Sequence, residues 1–161
     1  MIELRSPSAG QPGSGVIENG CHVFPVRVYY EDTDAAGIVY YANYLKFAER
    51  ARTEMLRLIA ADTMRAMAEA GSAFVVRRCA LDYRLPARLD DCIEVRSRLV
   101  SARGASLDAR QTVTRRSDVL VEIDVQVACC DRDGRPTRVP VALKSALATL
   151  TQNSQPSKES H

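Results

Sequence analysis

Histidine is the residue that this sequence most clearly lacks. Of 161 residues only two are histidine, His22 and His161. One follows a leader rich in glycine, serine and proline, and the other ends a polar tail, so neither is expected in a core. A Ser-His-Asp triad, a Cys-His pair and a histidine-bound zinc are therefore not expected, and no metal site is predicted. Any acid-base chemistry falls to carboxylates.

Three further absences narrow the class of protein. No apolar run approaches the roughly 20 residues needed to cross a bilayer, and the N-terminus lacks the pattern of a signal peptide. The net charge is only +2, from 22 basic and 20 acidic residues, which disfavours a nucleic-acid partner. The five cysteines form no CxxC pair, as is typical of reduced thiols. We therefore expect a cytoplasmic protein without a transmembrane segment.

One folded domain is predicted, at residues 23–151. Residues 1–22 and 152–161 are polar and contain much of the glycine, proline and serine, so we expect a disordered leader and a disordered tail. The length suits a single core, and no internal repeat or linker interrupts the remainder.

The hydrophobic periodicity predicts a strand, a helical region and then four more strands. Residues 24–31 alternate in polarity, which places Tyr30 on the apolar face of a first strand. An amphipathic helix over 43–61 follows, with Asn43 as its N-cap, and a second short helix covers 63–70. Beyond it the period changes to two, and tight turns separate the four later strands.

The connections between these later strands are short enough to imply antiparallel neighbours. A sheet with one apolar face needs a cover, and the helix over 43–61 is the only long one predicted. The expected fold class is therefore α+β, an antiparallel sheet curved around one long central helix. Edge strands of two copies would pair favourably, so a dimer is expected.

Three carboxylates, Glu31, Asp32 and Asp34, fall within four residues where the first strand gives way to the helix. Asp32 suits a turn former whose side chain caps backbone N–H groups in the TDAAG loop, and Glu31 suits an exposed strand end. Asp34 is either a helix N-cap or a catalytic carboxylate.

The stretch over 25–56, PVRVYYEDTDAAGIVYYANYLKFAERARTEML, resembles the hotdog-fold acyl-CoA thioesterases of the 4-hydroxybenzoyl-CoA thioesterase type. Within that group it is most similar to the bacterial tol-pal-associated acyl-CoA thioesterases. The likeness continues through FVVRRCALDYRLPARLDD and SARGASL. The resemblance implies the hotdog fold, a sheet wrapped around a helix and paired into a double hotdog, which agrees with the periodicity.

The resemblance also implies that Asp34, the second aspartate of D-x-D-x-x-G, is the catalytic carboxylate. It would act as a general base or as a nucleophile, and the sequence leaves both routes open. Backbone N–H groups from Gly37 to Tyr41, at the start of the helix, are expected to be free to hydrogen-bond and would polarise the carbonyl. Tyr41 stands where the tol-pal-associated members usually have histidine, so side-chain proton transfer is not expected there. No cofactor is implied, since coenzyme A is part of the substrate.

The same likeness predicts residues that bind the acyl-CoA substrate. Tyr40 and Tyr44 are interpreted as walls of the acyl pocket, although packing beneath a sheet is the commoner use of such side chains. The phosphates of coenzyme A call for arginine. Arg103, in the hairpin SARGASL, matches the region where the family binds the nucleotide, with Ser106 beside it. Arg88 is a weaker candidate.

Two other functions stay open. A non-catalytic hotdog module would hold an acyl thioester or act as a scaffold of the cell-envelope tol-pal system, because a fold does not determine a function. A hotdog dehydratase or hydratase acting on acyl-carrier-protein substrates would need a histidine for proton transfer, which the motif lacks. The resemblance further suggests a homotetramer and envelope or acyl-carrier-protein partners, and it leaves the acyl group open.

Overall fold

The computed structural model describes residues 12–151, which form one antiparallel sheet of six strands and two α-helices. In chain order the elements are β1 (Val16–Glu18), β2 (Cys21–Arg27), α1 (Asn43–Glu69), β3 (Ala73–Tyr83), β4 (Cys92–Arg103), β5 (Ser106–Arg115), β6 (Asp118–Cys130) and α2 (Val141–Ala148). The strands lie in the order β1-β2-β4-β5-β6-β3. The predicted antiparallel sheet with one long helix is confirmed. Neither helix of this part of the chain combines the length and apolarity that a membrane span requires.

Helix α1 packs its apolar face against the sheet, as the spacing of its apolar residues predicts. Its buried side chains in the first half recur at steps of three and four: Tyr44, Phe47, Ala48, Ala51 and Met55. Most of them pack with strand residues of the main core, among them Val95, Val113 and Ile123. Complete burial of a side chain the size of Phe47 contributes about 1.5–3 kcal/mol.

A buried amide fixes the position of α1 on the sheet. Gln111 of β5 donates through Nε2 to Ala48 O at 2.9 Å and to Ser97 Oγ at 3.0 Å. Arg52 of α1 donates to Gln111 Oε1 at 2.6 Å and also pairs with Glu49. Because an unpaired buried polar group costs about 1–3 kcal/mol, sliding α1 along the sheet would be unfavourable.

The helical region differs from its prediction in the position of its break. Helix α1 continues to Glu69, and non-helical backbone at Ala60 (φ −150°, ψ 36°) divides it in two. The two predicted helices are therefore present, but they meet at Ala60 and not at residue 62. Leu58, which extends the apolar stripe in sequence, is exposed. The sequence pattern does not predict α2, whose Leu143 and Leu147 are buried in a second cluster with residues of α1.

The folded chain begins before residue 23, so the expected leader boundary is wrong. Strand β1 lies within the predicted leader and pairs with β2, with Ile17 opposite His22. Residues 1–11 and the predicted tail over 152–161 lie outside the described residues.

The first long strand is also displaced from its prediction. Strand β2 starts three residues earlier than 24 and ends at Arg27. Tyr30, expected on its apolar face, lies in a 3-10 turn (Tyr30–Asp32) and is 82% exposed. The alternation of the sequence continues past the point where the backbone leaves the sheet.

Strand β3 is an edge strand with little cover. It pairs with β6 on one side only, and Val75 and Val76 are about half exposed. At 11 residues it is much longer than β1 at the opposite edge, which has 3. A long, partly apolar edge favours pairing with another strand.

His22 is buried, contrary to the expectation from its flanking residues. Its Nε2 lies 2.7 Å from Ser14 O, so Nε2 carries the proton, and its ring stacks on Phe24. Ser14 Oγ in turn donates to Glu54 of α1 at 2.8 Å. The other ring nitrogen, Nδ1, has no hydrogen-bond partner in the described chain. Burial lowers the pKa of His22, although the Ser14 carbonyl and the Glu54 carboxylate oppose that shift.

We expect this neutral histidine to make stability depend on pH. Below the ordinary value of 6.5 the unfolded chain binds a proton that the folded ring resists. The free energy of unfolding should therefore fall as the pH drops from 6.5 toward the lowered pKa of His22. Above pH 6.5 the ring is neutral in both states, so His22 adds no pH dependence there. Urea unfolding between about pH 8 and pH 5 measures this effect.

His22→Gln is the matched control, because glutamine keeps a donor for Ser14 O but does not titrate. The stability difference between wild type and His22→Gln should shrink toward acid pH. A difference that is independent of pH would contradict the assignment of a buried, neutral His22.

Candidate active site

The loop between β2 and α1 folds back on itself and presents Asp34. Asp34 N–H donates to Ile38 O at 2.9 Å, and Gly37 N–H donates to Asp34 O at 3.0 Å. Gly37 has φ +75°, a conformation that glycine adopts without steric cost. Asp34 Oδ1 accepts from Ala36 N–H at 2.8 Å, and the side chain as a whole is exposed. The carboxylate is thus held in place by its own loop while remaining accessible.

The segment between β3 and β4 holds one side of this loop. Val39 N–H donates to Ala87 O at 2.9 Å, and Ile38 forms an antiparallel bridge with Arg88. Arg88 N–H donates to Asp91 Oδ2 at 2.8 Å, and its side chain is exposed. The structure therefore places Arg88 beside the Asp34 loop.

The start of α1 holds the other side. Asp32 O accepts from Tyr40 N–H at 2.9 Å and from Asn43 Nδ2 at 2.9 Å. Asn43 is consequently not the N-cap: Ala42 occupies that position, and no side chain caps it. Asp32 Oδ2 accepts from Tyr29 N–H at 2.8 Å, in the 3-10 turn before the TDAAG loop, so its side chain caps a turn but not at the predicted N–H groups.

The amides proposed to polarise a carbonyl are mostly occupied, so the expectation that they are all free is wrong. The N–H groups of Gly37, Val39 and Tyr40 donate to carbonyls of the protein. Within residues 12–151, the N–H groups of Ile38 and Tyr41 have no acceptor. Tyr41 lies just before α1, where the helix dipole favours negative charge. Of these two available donors, Tyr41 N–H is therefore the one that the helix favours for a negatively charged ligand atom.

A cavity of about 330 Å³ opens beside this donor. It is lined by Ile38, Val39, Tyr41, Tyr44, Tyr83, Arg84, Leu85 and Pro86.

The Tyr83 hydroxyl donates to Tyr41 O at 2.9 Å, and the Tyr44 hydroxyl accepts from Ala87 N–H at 3.0 Å. The rings of Tyr41 and Tyr44 both meet Tyr83 edge-on. Tyr40 packs on Tyr41 with ring centroids 4.8 Å apart. Tyr83, which the sequence does not single out, reaches this cluster from the end of β3.

The tyrosines act as neutral groups. Burial raises the pKa of Tyr44 and of Tyr83. The adjacent Tyr41 hydroxyl raises the pKa of Tyr40. Because phenols ordinarily titrate near 10, these three remain protonated at neutral pH and serve as hydrogen-bonding and packing groups rather than as bases.

The hairpin predicted to bind the nucleotide is far from Asp34 within one chain. Arg103 and Ser106 pair across the turn between β4 and β5. The other end of β4 lies next to the segment that holds the Asp34 loop, and a strand of 12 residues spans on the order of 35 Å at about 3.3 Å per residue. A single copy therefore does not bring Arg103 and Ser106 to the carboxylate.

Comparisons with known proteins agree with this fold. The family model of the thioesterase-like superfamily matches residues 28–147. Acyl-CoA thioester hydrolase YbgC of Escherichia coli is 50% identical over 131 residues, which are 80% of this chain and 95% of that protein. Acyl-CoA thioesterase YbgC of Haemophilus influenzae is 42% identical over 136 residues, 84% of this chain and 99% of that one.

Among solved structures, a thioesterase from Thermus thermophilus in complex with coenzyme A and zinc has a TM-score of 0.67 and 28% identity. The match covers 82% of this chain and 95% of that one. The chain belongs to the thioesterase-like superfamily, and the predicted hotdog fold is confirmed.

The Tyr44 hydroxyl is expected to stabilise the segment that carries this site. Tyr44→Phe leaves the buried Ala87 N–H without its acceptor, which should lower the free energy of unfolding by about 1–3 kcal/mol in urea unfolding. Tyr83→Phe is the comparison, because water can replace its hydroxyl at an exposed site, and it should cost less. Equal losses in the two variants would contradict this assignment.

Proposed function

We propose that this protein hydrolyses acyl-CoA thioesters and that Asp34 is the carboxylate that carries the reaction. The observation behind the proposal is the placement of Asp34: an exposed carboxylate on a hydrogen-bonded loop, close in sequence to a free amide at the start of α1. The names of the relatives, acyl-CoA thioesterase and thioester hydrolase, support the same activity.

The chemistry suits a site that has a carboxylate but no histidine. Asp34 either takes a proton from water as the water attacks the acyl carbon, or attacks that carbon itself to form a mixed anhydride that water then hydrolyses. In both routes the C–S bond breaks and the coenzyme A thiolate leaves. A thiol with a pKa near 8.5 leaves without strong acid assistance, so the lack of a histidine acid is tolerable.

Tyr41 supplies the complementary charge stabilisation. As the acyl carbon becomes tetrahedral, its oxygen gains negative charge and can accept a hydrogen bond that Tyr41 N–H donates, aided by the dipole of α1. Removing one such donor in other enzymes costs about 10²- to 10³-fold in rate. The Tyr41 side chain, by contrast, packs against Tyr40 and Tyr83, and we assign it no part in proton transfer.

Two copies of the chain are needed to complete the substrate site. Ala73, at the start of β3, pairs with Cys130 of β6, and Ser106 pairs with Ala128 of β6. The Arg103 hairpin and the start of β3 therefore lie at the same end of the sheet. Tyr83, at the end of β3, contacts the Asp34 loop.

Antiparallel pairing of β3 with β3 of a second copy sets the start of one strand beside the end of the other. This arrangement carries the Arg103 hairpin of the second copy toward the Asp34 loop of the first. Arg103 has an exposed guanidinium, which suits a phosphate of coenzyme A. Ser106 and Arg88 would contact the same end of the substrate. The tetramer, the cytoplasmic location and the envelope or acyl-carrier-protein partners stay predictions.

Asp34→Asn tests the chemistry. The amide keeps the shape of the side chain and can accept from Ala36 N–H, but it neither takes up a proton nor attacks a carbonyl. We expect kcat to fall by about 10²-fold or more with the fold unchanged, measured as thiol release from short, long and aromatic acyl-CoAs. A folded variant with wild-type kcat would contradict the role of Asp34. Tight acyl-CoA binding without turnover by the wild type would favour the non-catalytic module.

Mixing two defective variants tests the shared site. Arg103→Glu should raise KM, because it reverses the charge at the phosphate site. Asp34→Asn and Arg103→Glu, unfolded and refolded together, would form mixed pairs in which one site has both native residues. We expect activity at low substrate to exceed that of either variant alone. If the activity of the mixture only equals the sum of the activities of the two variants, both residues belong to a site within one chain.

A further inference from the structure

Asn43 joins the Asp34 loop to the first turn of α1 by a side-chain hydrogen bond. Its Nδ2 donates to Asp32 O at 2.9 Å, two residues before Asp34. The same carbonyl accepts from Tyr40 N–H at 2.9 Å, and Asn43 N–H donates to Tyr40 O at 2.8 Å. Three hydrogen bonds among Asp32, Tyr40 and Asn43 thus link the loop to the helix.

The direction of the Asn43 side chain distinguishes it from an ordinary residue at a helix start. Asparagine there commonly accepts an N–H of its own first turn. In the described chain no side chain caps α1, and Asn43 instead donates away from the helix. One residue therefore leaves the start of α1 uncapped and fixes the Asp34 loop against it.

We propose that Asn43 is a positioning residue that sets the Asp34 carboxylate relative to Tyr41 N–H. The inference depends on the thioester hydrolysis proposed above. On the opposite side the loop is held by Val39 and Ile38, which bind the segment between β3 and β4. Without Asn43, the link between Asp32 and α1 depends on Tyr40 N–H alone.

The geometry of a reacting pair is sensitive to such a link. A misplacement of about 1 Å can lower a rate about 10²-fold even when the altered residue touches no substrate. Asn43 sets the position of the Asp34 carboxylate relative to Tyr41 N–H. Its loss should therefore affect kcat more than KM. A residue that only supports folding would affect stability first.

Asn43→Asp separates these two roles. The ionised carboxylate has the shape of the amide but no donor for Asp32 O. Its charge at the start of α1 favours the helix, so Tm should be unchanged or raised. We expect kcat to fall about 10-fold or more while KM stays near that of the wild type. Asn43→Ala, which removes the donor without adding charge near Asp34, should show the same loss of kcat.

Thr33→Val is the matched control. Thr33 Oγ1 donates to Tyr30 O at 2.9 Å within the 3-10 turn, so the substitution removes a side-chain donor of the same loop without cutting the link to α1. It should retain wild-type kcat. A loss of kcat in Thr33→Val as large as that in Asn43→Ala would overturn the specific role of Asn43.

Steady-state kinetics and Tm are measured for all four proteins on the acyl-CoA that the wild type turns over fastest. If the wild type is active and both Asn43 variants keep its kcat, the positioning role is overturned and the proposed hydrolysis stands. If Asn43→Asp loses Tm in parallel with kcat, Asn43 is a folding residue and the role is again overturned. A wild type without turnover on any acyl-CoA overturns the proposed function and the positioning role together.

Discussion

The burial of α1 against the sheet is the interaction on which the rest of the structure depends. Its apolar stripe meets the inward side chains of the strands, and Gln111 fixes its register by donating to the carbonyl of Ala48. Because the helix is held against the sheet, its first turn has a fixed position relative to the strands. The Asp34 loop, which contains no residue of the main sheet, takes its position from that turn and from the segment before β4.

The parts of the fold that the sequence predicts are those with a local signal. Buried and more exposed residues alternate along much of strands β4, β5 and β6 because one face is covered by the helix, and their tight turns are marked by residues such as Gly104 and Arg116 with positive φ. The D-x-D-x-x-G motif similarly predicts the turn that presents Asp34, since that turn is built from consecutive residues. The stripe on α1 is readable for the same reason, up to the break at Ala60.

The features that the sequence does not reveal arise from contacts between distant residues. His22 and β1 belong to a segment whose polar composition predicts a disordered leader. His22 is nevertheless buried, because Phe24, Ser14 and strand β4 surround it. Asn43 has the residue type of an N-cap, and only the three-dimensional path of the loop directs its side chain to Asp32. The separation of Arg103 from Asp34 depends on the direction of β4, which local patterns cannot supply.

The contrast between the two sheet edges has a consequence for assembly. An exposed edge strand can pair with further copies without limit. When two copies pair through β3 about a two-fold axis, both β3 edges are covered in a single contact. The free borders of the paired sheet would then be two copies of β1, each only three residues long among the described residues. Strands so short offer too few backbone groups to recruit a further chain, so the β3–β3 pairing proposed above would also end the growth of the sheet.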